Sequence, residues 1–167
     1  VYNLKYGEDK HQKMDIFLPE NYLQNAPMVL IVHGGAWKYG RKEHMIQIQK
    51  MLFENNIPSI NMNYRLVKKG ITYREQLEDI GLAIEKFNSL AEKSELLPNN
   101  YIILGESAGG HLALLYGYKN PERIKKIISL SGPTDFYSDE YLQSFYSKYT
   151  SGTIQKVVGT KFKRKNL

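Results

Sequence analysis

Short apolar runs alternate with longer amphipathic stretches along this chain. Met14, Ile16 and Leu18 recur at every second position before Pro19, the period of a half-buried strand. Residues 21–27 are polar and carry Pro27, so they read as a connection. Met28-Val29-Leu30-Ile31-Val32 is a continuous apolar run that stops at Gly34-Gly35, which suits a strand covered on both faces. From Lys42 to Asn55, Met45, Ile48 and Leu52 fall at spacings of three and four and predict a helix. Ile57 to Tyr64 predicts another strand, with Pro58 at its start. Tyr73, Leu77, Ile80, Ile84 and Phe87 give the clearest helical stripe, running to about Ala91. Leu97-Pro98-Asn99-Asn100 breaks that pattern, and Tyr101-Ile102-Ile103-Leu104 predicts a strand ending at Gly105. Ala108 to Tyr118 is apolar on most sides, as in a buried helix. Ile124 to Leu130 predicts a last strand, closed by Ser131-Gly132-Pro133. Asp139 to Tyr149 reads as a helix capped by Ser138, with Tyr141, Leu142 and Phe145 inward. Residues 152–167 are weakly patterned.

Strands that alternate with helices specify an α/β fold, a mostly parallel sheet with helices on both faces. Ligands in such sheets bind beyond the carboxyl ends of the strands. The residues that follow each strand are therefore the first place to look for chemistry.

The 167 residues suit one domain able to bury roughly 70% of its unfolded surface. The absence of Cys excludes a disulfide scaffold and any Cys-ligated metal centre. The net charge of +6 raises nucleic-acid binding, but its distribution argues against it. Lys156, Lys161, Lys163, Arg164 and Lys165 crowd the end of the chain, and the rest holds 18 basic against 17 acidic residues. The tail is read as a solvated terminus, and no nucleic-acid partner is expected. No apolar run approaches the ~20 residues of a membrane span, and no signal-peptide core precedes the first strand. Cytoplasmic location is the default expectation.

Two strand ends carry candidate chemistry. After Leu104 comes Gly105-Glu106-Ser107-Ala108-Gly109-Gly110, a G-x-S-x-G pattern between a strand and a buried helix, the setting of a nucleophile elbow. Glycines on either side remove Cβ atoms from a tight turn. Ser107 then stands at a helix N-terminus, where free N–H groups favour developing negative charge. The alternative is a Gly-rich helix start without chemistry. After Val32 comes His33-Gly34-Gly35-Ala36-Trp37, whose backbone N–H groups are suited to an oxyanion. A plain Gly-Gly turn is the alternative. His33 is expected to lock the loop by hydrogen bonds, and Trp37 to pack under the site or wall its pocket.

The two glycine motifs, in this order, resemble the α/β-hydrolase superfamily, in its carboxylesterase and hormone-sensitive-lipase-like branch. Tyr6-Gly7 with Met14-Asp15-Ile16-Phe17-Leu18-Pro19, then Asn63-Tyr64-Arg65-Leu66, then Ser131-Gly132-Pro133-Thr134-Asp135 extend the resemblance over the chain. It implies an α/β-hydrolase core that hydrolyses a small carboxylic ester. Ser107 is the implied nucleophile, with oxyanion donors at the backbone of Gly35, Ala36 and Ala108. Ala36 stands where the family often has a third glycine. Gly34, Gly105 and Gly109 support the turns, and Glu106 is a structural or entrance carboxylate. No metal or organic cofactor is implied.

The base and its carboxylate do not follow from these residues. The family order is Ser, then acid, then His, yet the only His after Ser107 is His111, which helix geometry turns along the helix side. His44 is placed at a crevice rim, His11 toward solvent, Asp135 as a site wall or helix cap, and Asp79 as a structural hydrogen-bonding group. The chain is therefore expected to lack the last strands of the fold, to leave its last strand as an open edge and to oligomerise through it. The alternative to an enzyme is a catalytically inactive, hydrolase-like binding protein.

Overall fold

Met28–Val32, buried along its whole length, is the middle of the structure. The computed structural model describes residues 1–23, 26–92 and 100–159, with backbone alone at 142 and 145–150. Its strands are β1 (Leu4–Lys5), β2 (Lys13–Phe17), β3 (Met28–Val32), β4 (Ser59–Met62), β5 (Tyr101–Glu106) and β6 (Ile124–Leu130). They form one sheet in the order β1-β2-β4-β3-β5-β6. Strands β4, β3, β5 and β6 are mutually parallel, while β1 and β2 run antiparallel at one edge. This is the mostly parallel α/β sheet that the alternation predicted. The two-residue β1 was not foreseen, being too short to show a period.

The pleat divides the core. Met28, Leu30 and Val32 face one side with Ile60, Met62, Tyr101 and Ile103. Helix α2 (Tyr73–Ala91) covers that side through Ile80, Ala83, Ile84 and Phe87, beside α3 (Ala108–Lys119). Val29 and Ile31 face the other side, where Met45 and Leu52 pack from a 3-10 turn (Lys42–Met45) and α1 (Ile46–Glu54). The helical stripe read from residues 42–55 thus begins as a tighter turn. Helix α2 starts with a capping box. Thr72 Oγ1 accepts from Arg74 N at 3.2 Å, and Glu75 Oε2 accepts from Thr72 N at 2.6 Å, so free N–H groups of the first turn are satisfied.

Three expectations are corrected. Strand β2 is buried on both faces, since Asp15 is as enclosed as Ile16, and Leu18, past its end, is 43% exposed. Strand β4 is shorter than residues 57–64. The helix expected over 139–149 breaks at Ser144, whose extended ψ of 151° separates α4 (Asp139–Gln143) from α5 (Phe145–Val158). Ser138 does cap α4, its Oγ accepting from Tyr141 N at 3.2 Å, but helix α5 occupies much of the stretch read as unpatterned. Leu142 and Phe145 side chains, residues 97–99 and the basic residues beyond Gly159 lie outside what is described. Strand β6 is an edge, with Lys125 and Lys126 exposed near its start and Ile128 and Leu130 about two-fifths exposed further on.

Asp15 is buried because it has partners. Lys42 Nζ, itself buried, reaches Asp15 Oδ2 at 2.7 Å and Glu43 Oε1 at 2.9 Å. Burial alone would lower the Lys42 ammonium; the two carboxylates outweigh it and hold its pKa above the ordinary lysine value. Asn61 Nδ2 donates to the Lys42 carbonyl at 2.8 Å and Asn3 N donates to Asp15 Oδ1 at 2.7 Å. Removing one partner of such a pair strands the other charge. Lys42→Met is expected to cost about 3–5 kcal/mol in urea unfolding, and adding Asp15→Leu to recover most of it. A single variant as stable as the parent would contradict this account.

Candidate active site

The two glycine motifs meet at the carboxyl ends of β3 and β5, which pair Val32 with Gly105. Ser107 leaves β5 at φ 49°, ψ −116°, a conformation that costs a non-glycine residue on the order of 1–3 kcal/mol. Its N–H is anchored to the Leu130 carbonyl at 2.8 Å, and α3 begins at the next residue. The glycines make the turn possible. A Cβ on Gly105 would stand 2.1 Å from the Gly109 carbonyl oxygen, and one on Gly109 would stand 2.2 Å from that of Val32. Ser107 is thereby left exposed at the head of α3.

The loop after β3 touches this turn. A Cβ on Gly34 would lie 3.3 Å from Ser107 Cβ and 3.2 Å from Glu106 Oε2. Glu106 is exposed and borders the contact between the two loops. Gly35, Ala36 and Trp37 then take three positive φ angles in succession, 119°, 48° and 62°. The Gly35 carbonyl accepts from Tyr39 N at 2.8 Å and Lys38 N at 3.2 Å. Among the described residues, the N–H groups of Gly35, Ala36 and Ala108 enter no turn, loop or cap hydrogen bond. Such free donors beside an exposed hydroxyl suit a ligand with a negatively charged oxygen.

Buried side chains hold the loop from beneath. The His33 ring stacks on Tyr64 at 4.2 Å and 12°, its Nδ1 lies 2.6 Å from the Gly34 carbonyl oxygen, and Tyr64 OH donates to the His33 carbonyl at 2.8 Å. His33 is thus stacked and hydrogen-bonded within the loop. The Trp37 carbonyl accepts from Gln76 Nε2 at 2.7 Å and Val67 N at 2.9 Å. Arg65 completes the support, donating from N and Nε to Asp79 at 2.7 and 2.8 Å; Asp79 also accepts from Gln12 at 2.7 Å, the structural role expected of it. Gln76 was not singled out. Its signal was a polar residue set among the apolar positions 73, 77 and 80 of one helical stripe.

The remaining candidates separate from Ser107. Asp135 Oδ1 accepts from Tyr137 N and Ser138 N at 2.7 and 3.1 Å, organising the entry to α4. His44 is exposed on the 3-10 turn, and His11, only partly exposed, pairs with Asp9 at 3.0 Å. His111 does turn away along α3, where its Nδ1 accepts the Trp37 indole N–H at 3.2 Å. Among the described residues, His111 N donates to the Ser107 carbonyl at 3.0 Å within the first turn of α3, but no histidine ring hydrogen-bonds to the Ser107 side chain. His111 and Trp37 also line an apolar cavity of about 330 Å³ with Phe136, Leu115 and Ile154. A larger open cleft, lined by Lys38, Lys68, Lys69 and Lys156, does not include Ser107. The smaller one does not include Ser107 either, but His111 in its wall lies one helical turn along α3 from it. Described residues contain no His, Asp or Glu grouping suited to a metal ion, and no helix among them is long and apolar enough to cross a membrane.

The BD-FAE family profile matches residues 14–167. The chain belongs to the BD-FAE family. Among curated relatives, the kynurenine formamidase of Danio rerio is 25% identical over 92% of this chain and 50% of its own length. Isoprenylcysteine alpha-carbonyl methylesterase ICME of Arabidopsis thaliana is 29% identical over 66% of this chain and 26% of its own. Esterase B of Lactobacillus rhamnosis superposes with a TM-score of 0.76 at 18% identity, over 95% of this chain and 56% of that one. The chain therefore spans about half or less of these curated relatives, and this BD-FAE member shares the α/β-hydrolase fold.

Burial holds both His33 and His111 down to a pKa of about 4, against about 6.5 in an unfolded chain. Between those values the unfolded chain binds protons that the native one does not, so stability rises with pH through that window and is lost as pH falls from 6.5 toward 4. The unfolding free energy in urea is expected to be level above pH 7 and to drop by pH 5, by on the order of 2 kcal/mol for each ring and about 4 kcal/mol for both. A midpoint unchanged from pH 7.5 to 5 would contradict the burial of these neutral rings.

Proposed function

We propose that this BD-FAE member is a serine hydrolase of the carboxylesterase type. Ser107 Oγ attacks the carbonyl carbon of a small carboxylic ester while a base takes its proton. The N–H groups of Gly35, Ala36 and Ala108 hold the resulting oxyanion, helped by the positive end of α3. Collapse of the tetrahedral intermediate breaks the bond to the alkoxy oxygen, which leaves with the proton from the base. Water, deprotonated by the same base, then releases the acid from the acyl-serine.

The observation that carries this reading is the set of free backbone donors on two loops that touch at Gly34 and Ser107, with Ser107 held at positive φ. Relatives named as a methylesterase and a formamidase support the hydrolase class. The reading needs a histidine base, and none of the four histidine rings in this sequence hydrogen-bonds to the Ser107 side chain. It therefore calls for a base from polypeptide beyond these residues, in the same protein or a partner. The same observation favours the second reading, a catalytically silent binding protein.

The intact mass of the purified protein after treatment with a fluorophosphonate distinguishes them. One adduct on Ser107, absent from Ser107→Ala, is expected, together with a loss of at least ~10³-fold in hydrolysis of a short-chain ester. A folded protein that takes no adduct with the base-bearing polypeptide present, or a Ser107→Ala variant that retains turnover, would overturn the hydrolase reading.

A further inference from the structure

The wall of the apolar cavity of about 330 Å³ includes an imidazole that the acyl-transfer chemistry does not use. His111 contributes to its wall from the first turn of α3, four residues after Ser107. Trp37 meets the ring edge-on, at 5.3 Å between centroids and 89° between planes. Its indole N–H can only donate, so Nδ1 of His111 must be the acceptor and carry no proton. Burial keeps the ring neutral at physiological pH. The ring's one proton is then on Nε2. Among the described residues that nitrogen has no hydrogen-bond partner, yet it is not among the polar atoms sealed from solvent. Phe136 packs edge-on against both rings, at 5.6 Å from His111 and 5.9 Å from Trp37, which leaves the imidazole little freedom to turn. The cavity lining holds no acidic group, and its two cations, Arg74 and Lys119, are exposed.

We propose that this cavity is a substrate subsite in which His111, held as the Nε2–H tautomer by Trp37, donates a hydrogen bond to an oxygen acceptor on an otherwise apolar acyl group. Calling that group the acyl part rests on the reading of Ser107 as nucleophile; the donor itself does not. A purely hydrocarbon group would fill the cavity and leave a desolvated N–H without a partner, which costs affinity. An ether, ketone or ester oxygen at the right distance removes that cost. His111 is thus a specificity-determining residue, and Trp37 positions it.

The test needs no turnover. Side-chain ¹⁵N spectra of the full chain are expected to show His111 protonated at Nε2 and bare at Nδ1 at pH 7, and Trp37→Phe to convert this into a mixture of tautomers. Titration with straight-chain methyl ketones, in which one ether oxygen replaces each methylene in turn, is expected to yield one member that binds about three- to tenfold tighter than the all-methylene parent. The same member should shift the His111 Nε2 resonance. His111→Phe should abolish the difference between them. Protonation at Nδ1 in the unaltered protein overturns the proposal even if no His111 variant folds. So does a series without a preferred ether, or a preference that survives His111→Phe. Because Ser107→Ala should keep the ether preference, a protein that shows it but takes no fluorophosphonate adduct with the base-bearing polypeptide present would defeat the hydrolase reading and leave this subsite standing.

Discussion

Everything at the candidate site depends on how closely three backbone segments approach one another. The end of β3, the turn after β5 and the first turn of α3 cross with no room for a Cβ at Gly105 or Gly109, where the added atom would fall 2.1–2.2 Å from a carbonyl oxygen. That contact fixes the entry angle of α3 and, with it, the positive φ of Ser107. The cost of the strained serine is met by strand pairing on both sides and by burial of α3 through Leu112, Ala113 and Tyr116. Exposure of the hydroxyl is a consequence of that packing.

The second glycine loop is held differently. Its three consecutive positive φ angles are not stabilised by regular structure, so side chains from distant segments support it. Tyr64 stacks beneath His33, and Gln76 reaches across from α2 to the Trp37 carbonyl. Arg65 and Asp79 tie the Asn63-Tyr64-Arg65-Leu66 segment to the same helix. Backbone and side-chain donors together satisfy the Gly35 and Trp37 carbonyls, while the N–H groups of Gly35 and Ala36 enter no turn, loop or cap hydrogen bond among the described residues. Asp79 and the Trp37 carbonyl each accept more than one hydrogen bond, while His33 Nε2 and Gln76 Oε1 are buried without a partner among the described residues.

The cavity beside the site follows from the same support. Trp37 is buried under the loop and points its indole N–H at His111, 74 residues away. This contact withdraws His111 from the role of base and makes it part of a wall. The aromatic contacts with Phe136 link that wall to the segment that enters α4.

What the sequence determined by itself was everything with a local cause. A continuous apolar run located β3, spacing of three and four located α2, and a stretch apolar on most sides located α3, each to within a residue or so, because burial is written into neighbouring positions. The glycine motifs announced Ser107 and the loop from Gly34 to Trp37, because a turn without room for Cβ can be filled by few residue types. Local spacing was silent on β1, too short to have a period, and on the break at Ser144, which lies in a backbone torsion. It also misjudged the outer face of β2, since Asp15 is polar but becomes buried once Lys42 arrives from 27 residues away. Only the tertiary structure decided which partners buried polar groups would find. Gln12 with Asp79, Gln76 with Trp37, and Trp37 with His111 are joined across 67, 39 and 74 residues. Such pairings depend on strand order and helix placement, and a hydrogen bond over that separation leaves no periodic trace in the chain.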